Sequence, residues 1–138
     1  MNQVIIYKQD NGTVAIIRPT EDALALIGID AIAKKDVPAG VSYRIVNDDE
    51  VPSDRTFRNA WSDNNGIKVD MPKAKDMTKA RLRAERIPLF EAQDVAFQRA
   101  LEAGTSTALI IAEKNRLRDL PKMVDAMSTL DELKSAKA

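Results

Sequence analysis

The run Asp48-Asp49-Glu50 places three carboxylates side by side, and adjacent acids of this kind could gather a divalent cation through their oxygens. A calcium loop spaces its ligands on alternate positions around a glycine, and this cluster has neither feature. A solvated turn is the expected reading. The second candidate is basic. Lys73, Lys75, Lys79, Arg81, Arg83 and Arg86 fall within one predicted helix and could track phosphates. Asp76 and Glu85 interrupt that set, Glu91, Asp94 and Glu102 balance it further along, and the spacing winds around the helix. A solvated face or an acidic protein partner is therefore favoured over nucleic acid. Arg55 and Arg58 flank Phe57 close to Asp54 and Asp63, which suits an ion pair; an exposed one would contribute only about 0–1 kcal/mol.

The chain contains no histidine and no cysteine. Ser-His and Cys-His catalysis, thiolate zinc sites and disulfides are thereby excluded. The remaining serines, lysines and carboxylates show no serine–lysine spacing, glycine-rich phosphate loop or metal-binding helix motif. No catalytic, metal-binding or cofactor-binding residue is assigned, and a protein that is not an enzyme and needs no cofactor is expected.

With 138 residues, 44% hydrophobic and 30% charged, the composition is that of a soluble globular protein. Its 21 basic and 21 acidic residues balance, whereas a dedicated nucleic-acid domain would be basic. The start MNQVIIYKQDNG has no basic n-region and only a short apolar run, so no signal peptide is expected. No apolar run approaches the roughly 20 residues that span a bilayer.

Val4-Ile5-Ile6-Tyr7 and Thr13-Val14-Ala15-Ile16-Ile17 are β-branched runs, and Asn11-Gly12 between them can supply the positive φ angles of a tight hairpin. Thr20 can cap a helix whose first turn holds Glu21 and Asp22; Gly28 should interrupt it, and Lys34, Lys35, Pro38 and Gly40 should end it near Asp36. Ser42 to Val46 predicts a third strand. After Pro52, Ser53 can cap a further helix, in which Phe57, Ala60 and Trp61 fall at i, i+3 and i+4, so that Phe57 and Trp61 form a structural aromatic pair on one face. Ser62 to Gly66 reads as a loop, and Ile67 to Asp70 as a short strand or extended lead-in.

From Asp70 onward alanine, leucine, lysine, arginine and glutamate dominate, and helix is expected. Asp70 can cap it, Pro72 suits its first turn, and Pro88 predicts a kink or break between residues 86 and 89. Gly104 marks its end, Thr105 or Ser106 recaps the chain, a second antiparallel helix runs from Ala108 to Leu117, and Pro121 terminates it. Thr129 to Glu132 has capping-box spacing. The expected fold class is α+β: a small ββαβ head over residues 1–62, a linker over 63–70, and a helical hairpin or arm over 71–138. Met77, Ile87, Phe90, Phe97 and Leu101 are the candidate partner-binding residues of the arm. Burial of that stripe against another chain and burial beneath the second helix of a self-contained hairpin are both consistent with the pattern.

The elements KKDVPAG, YRIV and VPSDRTFRNAW, with a VDMPKAK lead-in to an arginine-rich helix, resemble a family of small proteins encoded among the late structural genes of tailed bacteriophages and prophages. The similarity covers residues 29–104. Arg116-Leu117-Arg118-Asp119-Leu120-Pro121 also resembles the RxALRDLP-like end of phage tail assembly chaperones and tail-fibre assembly proteins. Those chaperones usually carry a tryptophan or a proline-rich tail around that motif. This chain departs from them by continuing Lys122-Met123-Val124-Asp125 with no later tryptophan. The resemblance implies a non-enzymatic tail, baseplate or tail-fibre-associated virion protein, made in the host cytoplasm and docking on other tail subunits or on its own copies, with no membrane contact. An assembly chaperone absent from the mature particle is the alternative, and a small nucleic-acid-binding regulator is a third.

Overall fold

The computed structural model describes residues 2–138. The chain is α+β and divides into two compact units, Met1–Asp70 and Met71–Ala138. The expected linker over 63–70 is instead part of the first unit, because its apolar residues Ile67 and Val69 pack on that unit's core.

In the first unit, strands β1 (Gln3–Lys8), β2 (Val14–Ile17) and β3 (Tyr43–Asn47) form an antiparallel sheet in the order β2-β1-β3. The β1–β2 turn draws a positive φ from Gly12 alone, while the Asn11 side chain accepts from Thr13 N at 3.0 Å. Gly12 N donates to Gln9 O, a type I turn followed by a left-handed glycine. Register pairs Ile5 with Ile17 and Ile45, and Ile6 with Ile16 and Arg44. Successive side chains of a strand point to opposite faces, so the uninterrupted Val4-Ile5-Ile6 serves two layers. On one side Ile5 meets Ile32, Ala33 and Val37 of helix α1 (Glu21–Asp36) and its end. On the other, Val4, Ile6, Val14 and Val46 surround Trp61, flanked by Ile67 and Val69. The last three belong to a second hairpin of β4 (Trp61–Asp63) and β5 (Ile67–Val69).

Helix α1 begins as its sequence dictates: Thr20 Oγ1 accepts from Ala23 N at 3.2 Å, and Glu21 and Asp22 occupy the positive end. Gly28, at φ 78 and ψ 163, breaks the helical path between two halves.

The helix expected after Ser53 does not form. Asp54 Oδ1 accepts from Thr56 N at 3.0 Å and from the Thr56 hydroxyl, closing a local turn that competes with helix initiation. A single 3₁₀ turn, Arg58–Ala60, follows, and Trp61 opens β4. Phe57 and Trp61 are both buried, but not as i, i+4 neighbours on a helix. Asp70 N donates to Ala60 O at 2.7 Å, tying the end of the β4–β5 hairpin back to that turn.

The second unit consists of α2 (Met71–Ala103), α3 (Ala108–Asp125) and α4 (Leu130–Ser135). The two helical segments expected on either side of Pro88 are one continuous helix, α2. An interior proline costs about 3 kcal/mol, and here the helix is anchored before it by buried Ala74, Thr78 and Leu82 and after it by buried Ala100. A Schellman motif ends α2: Gly104, at φ 67, donates to Leu101 O, and Thr105 N to Ala100 O. Thr107 stands at the N-cap position of α3, and the Ser106 hydroxyl accepts from Ala108 N at 3.3 Å. Helix α3 then returns along α2 and buries Leu117, Leu120 and Val124. It does not stop at Pro121, as expected, but continues to Asp125. Thr129 caps α4 through Glu132 N at 3.2 Å, Glu132 reaches back to Ser128 and the Thr129 hydroxyl, and Leu133 is buried.

Candidate functional site

The acidic cluster lies on a 3₁₀ turn, Asp48–Glu50, directly after β3. Asp48 pairs with Arg18, so one of its three charges is already balanced. An open cleft of about 740 Å³ beside it is lined by Asn2, Arg18, Asp48, Asp49, Ser53 and Arg55. Its wall therefore mixes cations and anions at the rim of the sheet. Among the described residues no group of three or more carboxylates converges as a metal site.

The arginines around Trp61 are arranged by the irregular Val51–Ala60 segment. The Arg58 guanidinium lies 4.7 Å from the centre of the Trp61 ring and that of Arg55 5.9 Å. Both are within the range of a cation–π contact. Burial beside the ring, and then the charge of Arg55, push the Arg58 guanidinium below its usual value. The indole itself is fully buried, and among the described residues its Nε1 has no hydrogen-bond partner. Asp63, expected near Arg55 and Arg58, instead forms a two-bond fork with Arg44 at 3.0 and 2.5 Å. The Arg44 bonds hold the Asp63 carboxyl below the usual carboxylate range, and the same bonds raise Arg44. The pair fastens the β4–β5 hairpin to β3 of the main sheet.

The basic residues of α2 are largely consumed within their own unit. Lys75 Nζ donates to Asp125 O at 3.2 Å, and Lys79 pairs with the Asp125 carboxylate at 2.5 Å. Arg81 bonds Glu85 at 2.8 Å and Leu133 O at 3.0 Å. Arg86 donates to Leu117 O at 3.0 Å and Arg118 O at 3.3 Å. Guanidiniums committed to carbonyls and carboxylates in this way do not form a free phosphate track.

Of the five residues expected to meet a partner, Met77, Phe90 and Phe97 are half-buried within the helical unit. The Arg86 guanidinium covers Phe90 at 5.6 Å from the ring centre, and Lys114 covers Phe97 at 5.4 Å while pairing with Asp94. Ile87 and Leu101 remain 57% and 56% exposed. They stand fourteen residues apart on α2, nearly four turns, and so share one side of the helix. Leu109, 87% exposed, and Ile111 add apolar surface at the start of α3. Leu109 was missed from the sequence because it follows the Gly104 corner, outside the stripe traced along α2. Its only signal is a large aliphatic residue two positions after the N-cap.

Compared with protein-family models, curated proteins and solved structures, the chain matches none.

Proposed function

We propose that this chain is a non-enzymatic docking component of a bacteriophage or prophage tail, made in the host cytoplasm and carried in the virion at the tail, baseplate or fibre. The sequence resemblance over residues 29–104 supports the setting, with SDRTFRNAW its most specific element. The observation that carries a docking role is the helical unit. It fills its own core with Leu82, Ala100, Leu117, Leu120, Val124 and Leu133, yet leaves Ile87, Leu101 and Leu109 in solvent on the α2–α3 hairpin. Large aliphatic side chains that a domain does not need for its own core are suited to a protein partner. The buried aromatics Phe57 and Trp61 hold the first unit together, and the partner surface belongs to the second.

The test is co-purification of tagged chain with tail subunits from lysed producing cells, repeated with Ile87→Ser, Leu101→Ser and Leu109→Ser combined. Loss of the tail subunits with unchanged helix content supports the reading. Retention of the same subunits by the triple variant refutes this surface.

A further inference from the structure

We propose that Asn65 is a site of spontaneous deamidation and isomerisation, and that it reacts ahead of the chain's other Asn-Gly pair, Asn11-Gly12. Both pairs lie at hairpin turns and both asparagines are exposed, so sequence context alone does not separate them. Their surroundings do. The Asn11 carboxamide oxygen is held by Thr13 N at 3.0 Å and by the Thr13 hydroxyl at 2.6 Å, and Gly12 N is committed to Gln9 O at 2.9 Å. Attack there requires the Gly12 nitrogen to leave Gln9 O and the carboxamide to turn away from Thr13 N.

At the β4–β5 turn the restraints are weaker. The Asn65 side chain is exposed, and the backbone there sits at φ 56, a left-handed conformation that asparagine tolerates. Gly66 offers no side chain to hinder its nitrogen. The Gly66 N–H points to the Asp63 carboxylate at 3.4 Å, a long bond that restrains the nitrogen less than the 2.9 Å bond of Gly12 N. As the Gly66 nitrogen forms its bond to Asn65 Cγ, its proton passes to hydroxide or water from the solvent. The bond from Cγ to the carboxamide nitrogen then breaks, and ammonia leaves with a proton returned to it. Water opens the five-membered imide at either carbonyl, giving aspartate or isoaspartate. The isoaspartate product lengthens the backbone inside a turn closed by Asn64 N to Gly66 O at 3.1 Å, and both products place a new carboxylate near the Arg44–Asp63 pair.

The experiment is prolonged incubation of the full chain in mildly alkaline buffer, followed by trypsin and fragment-resolved mass spectrometry. Asn59–Lys68 is one tryptic peptide, and Asn11 lies in the peptide that begins at Gln9. The expected result is an amide-to-acid mass gain at Asn65 several-fold faster than at Asn11, split between two chromatographic isomers and abolished by Asn65→Gln. A gain at Asn11 as fast or faster, a gain confined to Asn64, or no gain in either peptide overturns the assignment.

Discussion

Arg86 on α2 donates to Leu117 O on α3, the carbonyl whose regular backbone donor four residues on is replaced by Pro121. In a regular helix the N–H of residue 121 would bond Leu117 O, and proline has none. The guanidinium also reaches Arg118 O and lies over Phe90. One side chain thus supplies the missing donor and covers an aromatic ring, which lets α3 run through a proline.

Arg86→Met should destabilise the helical unit by about 1–3 kcal/mol, the cost of leaving a carbonyl unmet and removing a charged donor. In a Pro121→Ala background the same change should cost less, because residue 121 regains its N–H. A double-mutant cycle read by denaturant unfolding and circular dichroism checks this; equal costs in the two backgrounds would show that Arg86 does not serve Leu117.

Trp61 should behave as a core residue. Trp61→Ala is expected to cost roughly 3–5 kcal/mol, as deletion of a large buried ring does. Trp61→Phe should cost less, since it also removes the partnerless Nε1. Emission from this sole tryptophan should be blue-shifted and resist iodide quenching in the native state. Unchanged stability of Trp61→Ala would assign the ring to an interface.

The Arg44–Asp63 fork makes a signed pH prediction. The folded Asp63 pKa is depressed, so its contribution is fully present above the unfolded aspartate value of about 3.9 and is lost as pH falls through the folded value. Asp63→Asn should therefore be less stable than the parent at neutral pH, with the gap closing under acid. Thermal melts of both proteins from neutral pH downward measure that gap; a constant difference would contradict the coupling.

Gly28→Ala should destabilise the first unit by about 1–3 kcal/mol, the penalty of a Cβ in the glycine-favouring region at φ 78 and ψ 163. The cost is conformational, because an added Cβ meets nothing within 4 Å. Thermal denaturation decides: a stabilised variant would mean that α1 straightens through residue 28.

Local chemistry was readable wherever one residue settles one backbone bond. Thr20, Gly28, Gly104 and the Thr129–Glu132 box act as their types predict, and the β-branched runs pair as strands. Three features were not readable. The i, i+3, i+4 spacing of Phe57, Ala60 and Trp61 mimics a helix over too few residues to prevail against the Asp54 turn and a sheet that needs an indole. Residues 63–70 look like a linker because a three-residue strand carries almost no pattern. Pro88 and Pro121 look like breakers because the contacts that compensate them lie elsewhere in the chain, and Arg86 is 31 residues from the carbonyl it satisfies. In the expected docking stripe Met77, Phe90 and Phe97 are half-buried, with Arg86 and Lys114 over the two rings, while Ile87 and Leu101 are exposed, as is Leu109.

Tail association is tested most directly by quantitative mass spectrometry of intact phage particles purified from cells that produce this chain. A tail component predicts the chain at a fixed ratio to the tail subunits, retained through density-gradient purification. Its absence from mature particles, while tail-fibre subunits still co-purify with it from lysates, would contradict that account and identify an assembly chaperone instead.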